Sequence, residues 1–323
     1  MRVGIIGLGI IGKVHKSVLT AMGETIVAVC DIEPTVLSAY SEVNCYTDYK
    51  EMLANERLDV VHICTPHYLH TEMILAALDK DIHVLCEKPM CIKSEDIPLI
   101  LAAERRSKGR LGVCQQNRYN NVNVYLKEYL TNKKIQSAHG ELIWCRGKAY
   151  YAQAEWRGKL ATEGGGVLIN QALHTLDLVQ WFCGMPNTVQ GKIENLSLQG
   201  VVEVEDTAVL RCEGETNFTF YATNTGGADM PTQIRLTLDN GEQITAYPDR
   251  LFINGKMITE EDMRFVLGKC CYGNGHEKLI EDFYHCIQTG QRFAIDGTEA
   301  SKVLKIIFAV YKNSGEKENI EEL

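Results

Sequence analysis

Arg2-Val3-Gly4-Ile5-Ile6-Gly7-Leu8-Gly9-Ile10-Ile11-Gly12 decides how the first half of the chain folds. Residues 2–6 read as a short apolar strand. The glycine loop Gly7-Leu8-Gly9-Ile10-Ile11-Gly12 follows, and a helix is expected over about 10–22, closed by Gly23. The next strand, 26–30, ends at Asp31. Strand, glycine loop, helix, strand and acid at this spacing form a dinucleotide-binding fingerprint. Gly7 makes the tight turn, Gly9 lets a pyrophosphate approach, and Gly12 lets helix and strand pack closely. Ile10 and Ile11 begin the helix, whose free N–H groups and dipole favour an anion.

Asp31 points to NAD rather than NADP. Its carboxylate can accept from the adenosine ribose hydroxyls and repels a 2′-phosphate. Ile32 and Glu33 follow and offer no Arg or Lys to hold that phosphate.

The alternation continues outward from this unit. Helices are expected over 34–43, from Thr47 or Asp48 to Asn55, over 69–79, and from a Ser94 cap to about 107. Strands are expected over 59–65, 83–86 and 111–114. Strands alternating with helices give a parallel, doubly wound α/β sheet, with ligands beyond the carboxyl ends of its strands. Polar residues cluster at those ends: Thr65-Pro66-His67-Tyr68-Leu69-His70, Glu87-Lys88-Pro89, and Gln115-Gln116-Asn117-Arg118-Tyr119. Lys88 leaves a buried strand directly, and the proline after it restricts its backbone to an extended form. A cationic nicotinamide nearby favours its neutral amine, the form a general base needs. An ordinary surface lysine is the competing reading.

A second polar stretch is Glu163-Gly164-Gly165-Gly166-Val167-Leu168-Ile169-Asn170-Gln171-Ala172-Leu173-His174-Thr175-Leu176-Asp177. It reads as a helix opened by three glycines and running on to Trp181 and Cys183. Asn170, His174 and Asp177, at i, i+4 and i+7, would share one face of it. The loop 150–158 brings Tyr150, Tyr151, Trp156 and Arg157, and aromatics beside hydrogen-bonding groups suit a sugar's C–H faces and hydroxyl edges. Core or interface packing explains Tyr150 and Tyr151 equally well. A helix is expected near 125–130 and a strand over 138–146. Strands follow over 188–196, 207–212 and 217–223, with hairpin signals at Asp239-Asn240-Gly241 and Asn254-Gly255-Lys256. They build a large open, mostly antiparallel sheet whose exposed face is a candidate for self-association. His276, after Tyr272-Gly273-Asn274-Gly275, opens a helix to about 289 and either reaches substrate or is an ordinary helix-start histidine. Thr298 caps a last helix to about 313, and the charged tail 316–319 should fray.

At 323 residues, two domains are expected: 1–120 for the dinucleotide and 121–323 for substrate and oligomerisation, the last helix being free to pack back on the first. The net charge of −9 argues against nucleic acid as a partner. No apolar run is long enough for a bilayer, and the N-terminus lacks a signal-peptide pattern, so a cytoplasmic protein is expected. Of twelve cysteines, Cys30, Cys64, Cys86, Cys114, Cys145 and Cys212 lie in strand-like apolar runs, no C-x-x-C occurs, and Cys270-Cys271 are adjacent. Neither a disulfide nor a structural metal is expected.

Taken together, Gly7-x-Gly9-x-x-Gly12-x-x-His15, Asp31, Thr65-Pro66-x-x-x-His70, Glu87-Lys88-Pro89, Asn117-Arg118-Tyr119, Trp156-Arg157-Gly158 and the Gly164–Asp177 stretch resemble the Gfo/Idh/MocA family, that of glucose–fructose oxidoreductase and inositol dehydrogenase. The resemblance spans both halves. It implies a Rossmann domain followed by an α/β domain with an open sheet, NAD(P)-dependent oxidation or reduction of a sugar or polyol hydroxyl, and a homodimer or homotetramer. It implies that Lys88 exchanges the hydroxyl proton and that His174 assists. Thr65, Pro66, His67, His70, Glu87, Asn117, Trp156 and Arg157 then fall at the cofactor. Arg118, Tyr119, Tyr150, Tyr151, Trp156, Asn170 and His276 fall at the substrate. Many members carry Asp where this chain has Asn170, and an amide takes up no proton at neutral pH, so Asn170 is expected to orient hydroxyls instead. Two other activities fit the same residues: a redox-neutral glycosidase that retains NAD, and a non-catalytic NAD-responsive regulator.

Overall fold

The computed structural model describes residues 1–260 and 274–320. Cys270, Cys271, Tyr272 and Gly273 of the sequence reading lie outside the described residues. The chain divides into two compact units. One holds Met1–Cys91, Glu95–Gln116 and the described residues 274–301, and the other holds Ile92–Ser94, residues 117–260 and 302–320.

In the first unit the elements are β1 (Arg2–Ile6), α1 (Ile10–Ala21), β2 (Thr25–Cys30), α2 (Pro34–Leu37), β3 (Asn44–Tyr46), α3 (Tyr49–Asn55), β4 (Val60–Ile63), α4 (His70–Leu78), β5 (His83–Cys86), α5 (Asp96–Arg106) and β6 (Leu111–Val113). All its strand pairs are parallel, in the order β3-β2-β1-β4-β5-β6. That is the doubly wound order of a Rossmann fold. Burial on both faces is why the strands read as unbroken apolar runs: Val3, Ile5, Val60, Val61, Val84 and Leu85 have no exposed surface. The expected helix over 34–43 stops at Leu37, passes through a 3-10 turn at Ser38–Tyr40, and is followed by β3, which no sequence pattern announced. Asn44-Cys45-Tyr46 has no apolar run of its own and becomes a strand only by pairing with Ala28–Cys30 at the sheet edge.

The second unit contains α6 (Asn121–Tyr129), β7 (Ile135–Ile143), α7 (Lys148–Tyr151), α8 (Leu160–Glu163), α9 (Leu173–Cys183), β8 (Thr188–Glu194), β9 (Thr207–Glu213), β10 (Asn217–Thr223), β11 (Gln233–Leu238), β12 (Gln243–Ala246), β13 (Arg250–Ile253) and β14 (Lys256–Glu260). The chain then gives α10 (Gly275–Thr289), which groups with the first unit, α11 (Gly297–Lys312), through which the division passes, and β15 (Lys317–Asn319). Among the described residues nine strands form one sheet, β14-β13-β12-β11-β7-β10-β9-β8-β15, antiparallel except for β7 beside β10. Both hairpin signals are realised: Gly241 turns β11 into β12, and Asn254 and Gly255, at positive φ, turn β13 into β14. One face of the sheet carries α9. A Cβ on Gly140 of β7 would lie 2.6 Å from Val179, so the glycine sets that approach. The tail expected to fray is instead the edge strand β15, with Lys317 opposite Gln190 and Asn319 opposite Thr188. No helix among the described residues is long and apolar enough to cross a membrane.

The single helix expected from Gly164 through Asp177 is not formed. α8 ends at Glu163, Gly164 and Gly165 have positive φ, and α9 begins only at Leu173. The intervening turn is held by a carboxylate far along the chain: Glu205 accepts from the backbone N–H of Gly166 at 2.8 Å and of Leu168 at 3.1 Å. Asn170 therefore precedes the helix, and only His174 and Asp177 are on it.

Candidate active site

In the first unit each fingerprint glycine meets a distinct steric demand. Gly7 has φ +88°, and a Cβ there would lie 2.6 Å from the Cys64 carbonyl oxygen. A Cβ on Gly12 would lie 2.0 Å from the Gly7 oxygen, so α1 packs against β1 only without one. A Cβ on Gly9 would meet no atom within 4 Å, and Gly9 is the N-cap of α1. Open space above the free N–H groups of a helix start is the cradle a pyrophosphate needs, so the residues fit the dinucleotide. Asp31 is fixed by accepting from Leu8 N at 2.8 Å and Glu33 N at 3.0 Å. Ile10 and Ile32 are 57% and 79% exposed, while Ile11 is half-buried.

At the carboxyl ends of β4 and β5, His70 ties two loops together. Its Nδ1 lies 2.7 Å from the Pro89 oxygen and its Nε2 lies 2.8 Å from the Thr65 oxygen. One of these is a hydrogen bond in the neutral ring and both are in the imidazolium, and burial holds its pKa below the ordinary imidazole value. Thr65 also donates to Met73 Sδ at 3.4 Å, His67 is buried beside His70, and the Lys88–Pro89 peptide is cis. Lys88 is half-buried, and its backbone N–H donates to Glu87 Oε2 at 3.3 Å.

Glu87 stands among histidines. Its Oε1 is 3.1 Å from His15 Nε2 and 3.4 Å from His276 Nε2. His15 Nδ1 is 2.7 Å from His62 Nδ1, and His62 Nε2 is 2.9 Å from the Tyr284 hydroxyl. Burial alone would raise the Glu87 carboxyl, but the bonds from His15 and His276 hold it well below the usual range. Burial pulls both His15 and His62 below the usual imidazole value. His276, expected near substrate, is buried and set against Glu87. The ligand atoms of His15, Glu87 and His276 all lie within 4.8 Å of one another, a set that could also hold a cation. The sequence reading did not single out His62 or Tyr284, because a histidine inside an apolar strand and a tyrosine on a helix look like core.

In the second unit a polar cluster surrounds the turn before α9. Glu163 is fully buried; it accepts from the backbone N–H of Gly158 and from Asn170 Nδ2. Burial pushes its carboxyl up to about 7. His174, second residue of α9, is half-buried, as are Asn117, Tyr119, Trp156 and Arg157. The Arg157 guanidinium donates to the Tyr150 carbonyl at 3.2 Å and lies over the Tyr150 ring at 4.4 Å. Tyr151 sits in an apolar cluster with Leu198, Val202 and Val204, the packing role that had rivalled a substrate role. Gln171 links Tyr150 to Asn224, which in turn donates to the Tyr151 hydroxyl. Arg118 is buried and grips Asp177 with two bonds, 2.6 and 2.7 Å, so Asp177 anchors α9. Glu205, Gln171 and Asn224 were missed because nothing local marks them.

Comparison with known proteins bears on the family and the fold. Residues 1–115 match the family model "Oxidoreductase family, NAD-binding Rossmann fold", and residues 133–243 match "GFO/IDH/MocA C-terminal domain". Myo-inositol 2-dehydrogenase of Thermotoga maritima is 21% identical, across 99% of this chain and 98% of its own. D-glucoside 3-dehydrogenase of Escherichia coli is 30% identical over 58% of this chain and 55% of its own. The WlbA dehydrogenase from Bordetella pertussis, solved with NADH and UDP-GlcNAcA, shares the fold with a TM-score of 0.85 at 24% identity, covering 100% of this chain and 99% of that one.

Proposed function

The chain belongs to the Gfo/Idh/MocA family of NAD-binding oxidoreductases, and from that premise we propose that it oxidises or reduces a hydroxyl of a sugar, polyol or inositol, with Lys88 and His174 as its acid–base pair. The observation that carries the reading is the Glu87-Lys88-Pro89 turn. It leaves the carboxyl end of β5, in the same parallel sheet as the dinucleotide loop, which is where such sheets place their chemistry. The substrate class comes from relatives named for inositol and glucoside oxidation.

Gly7, Gly9 and Gly12 would seat the pyrophosphate and Asp31 the adenosine ribose, with Ile10 and Ile32 against the adenine side. Bound NAD supplies the hydride acceptor at the nicotinamide. On oxidation, the neutral Lys88 amine takes the hydroxyl proton as the C–H bond gives up its hydride and the carbonyl forms. His174 assists that transfer by hydrogen-bonding the reacting hydroxyl, Asn170 positions the neighbouring hydroxyls, and Glu163 holds the Asn170 amide by accepting from its Nδ2. The Asp31 carboxylate, already fixed by two backbone N–H groups, favours NAD over NADP. We read the exposed face of the nine-stranded sheet as the surface through which the chain forms a homo-oligomer.

Screening sugars, inositols and glucosides for NADH formation tests the reading directly. Net NADH with a matching carbonyl product is expected. Release of free sugar from a glycoside with no net NADH would instead mark a redox-neutral lyase-type glycosidase. Lys88→Ala should lower kcat by about a hundredfold or more, the scale of a lost general acid or base. Retained turnover with an unchanged pH profile would remove Lys88 from that role.

A further inference from the structure

Four buried groups of the first unit stand in one line: Tyr284 on α10, His62 on β4, His15 on α1 and Glu87 after β5. Their contacts run Tyr284 Oη to His62 Nε2 at 2.9 Å, His62 Nδ1 to His15 Nδ1 at 2.7 Å, and His15 Nε2 to Glu87 Oε1 at 3.1 Å. Each contact needs one proton and no more. An ionised Glu87 only accepts, so His15 must carry its proton on Nε2. His15 Nδ1 is then bare, and His62 must donate to it from its own Nδ1. His62 Nε2 is left bare in turn, and the Tyr284 hydroxyl fills it. A second proton on either ring would set two N–H groups against each other at 2.7 Å or leave the tyrosine without its acceptor.

We propose that Tyr284, His62 and His15 are positioning residues for Lys88: a one-way hydrogen-bond chain that fixes the Glu87 carboxylate and, through its Oε2, the backbone N–H of Lys88. The proposal rests on Lys88 being the acid–base group. The chain ties helices α1 and α10 and strand β4 to the turn that bears Lys88. None of these three side chains needs to touch substrate. Fully satisfied buried networks of this kind rigidify what they hold, and small displacements of a catalytic group are costly.

Nitrogen NMR of the full-length protein labelled at histidine reads the proton order without reference to turnover. At pH 7.5 both rings should be neutral, with His15 protonated on Nε2 and His62 on Nδ1. The reverse order, His15 on Nδ1 and His62 on Nε2, would overturn the proposal. It is what a cation seated between His15, Glu87 and His276 would impose, since His15 would face it with a bare Nε2, carry its proton on Nδ1 toward His62, and leave His62 protonated on Nε2. A charged ring would overturn it equally. Tyr284→Phe, which removes one oxygen and keeps the ring, should lower kcat about tenfold while KM for NAD and for the hydroxyl substrate change less than twofold. An unchanged kcat would refute the positioning role. Should Lys88→Ala keep full turnover, the acid–base reading fails and the positioning role with it, whereas the proton order is still read independently.

Discussion

Gly9 and Gly12 lie three residues apart in one loop and meet opposite demands. At Gly12 a Cβ would meet a backbone oxygen at 2.0 Å, and neither α1 nor β1 can yield without moving the sheet. Gly12→Ala should therefore destabilise the protein by about 3 kcal/mol, the upper end of overpacking costs, and lower Tm with or without NAD. At Gly9 a Cβ meets nothing, and φ −66° suits alanine. Gly9→Ala should leave the Tm of the free protein within about a degree, since a substitution in open space costs within roughly 0.5 kcal/mol. Its stabilisation by added NAD should nonetheless be largely lost. Thermal melts of both variants, with and without NAD, separate the two roles. A Gly9→Ala protein that still gains full stability from NAD would place the pyrophosphate elsewhere. Both glycines were legible in the sequence, because the fingerprint's spacing encodes local geometry. The hold on the Asn170 amide by Glu163 was not legible, because the spacing read as one continuous helix.

At the scale of elements, α9 shows how a helix boundary escapes a local reading. The pattern from Gly164 to Asp177 has helical spacing, yet the helix starts at Leu173 because Glu205 captures the Gly166 and Leu168 N–H groups. Those groups are satisfied from 39 and 37 residues away, and no window of the sequence can register that. The tyrosine hydroxyl of Tyr311 on α11 completes the same carboxylate at 2.8 Å. Further along α9, the buried Arg118–Asp177 pair locks the helix to the Gln116–Tyr119 turn. Removing one partner of such a pair leaves a charge in the core. Asp177→Ala should cost roughly 3–5 kcal/mol by denaturant unfolding. A loss below about 1 kcal/mol would mean that Arg118 finds another acceptor and that the pair does not hold α9.

At the scale of the molecule, the two units carry buried groups of opposite pH sense. His15 and His62 have folded pKa values below the unfolded value of about 6.5. Above that pH they contribute nothing. As pH falls below it, the unfolded chain takes up protons that the folded one refuses, so stability drops. Glu163 is raised to about 7 from an ordinary carboxyl value. Between those two values the folded state holds a proton that the unfolded state releases, so its cost is relieved as pH falls from 7 toward 4.5. Hydrogen exchange from pH 7.5 to 5.5, corrected for intrinsic rates, should show protection falling in β4 and α1 and holding or rising around α8. Uniform loss across both units would contradict this assignment.

The doubly wound sheet, the glycine loop that opens it, the hairpins at Gly241 and Gly255, and the Lys88 turn were all determined by the sequence alone. Each depends on periodicity, a glycine or a short spacing, and so on forces acting within a few residues of chain. The edge strands β3 and β15, the start of α9 and the chain from Tyr284 to Glu87 were decided only in three dimensions. Edge strands exist because a neighbour offers unpaired backbone groups, whatever their own composition. The buried chain joins groups 47, 72 and 222 residues apart, and its proton order follows from which donor faces which acceptor once the fold has excluded water.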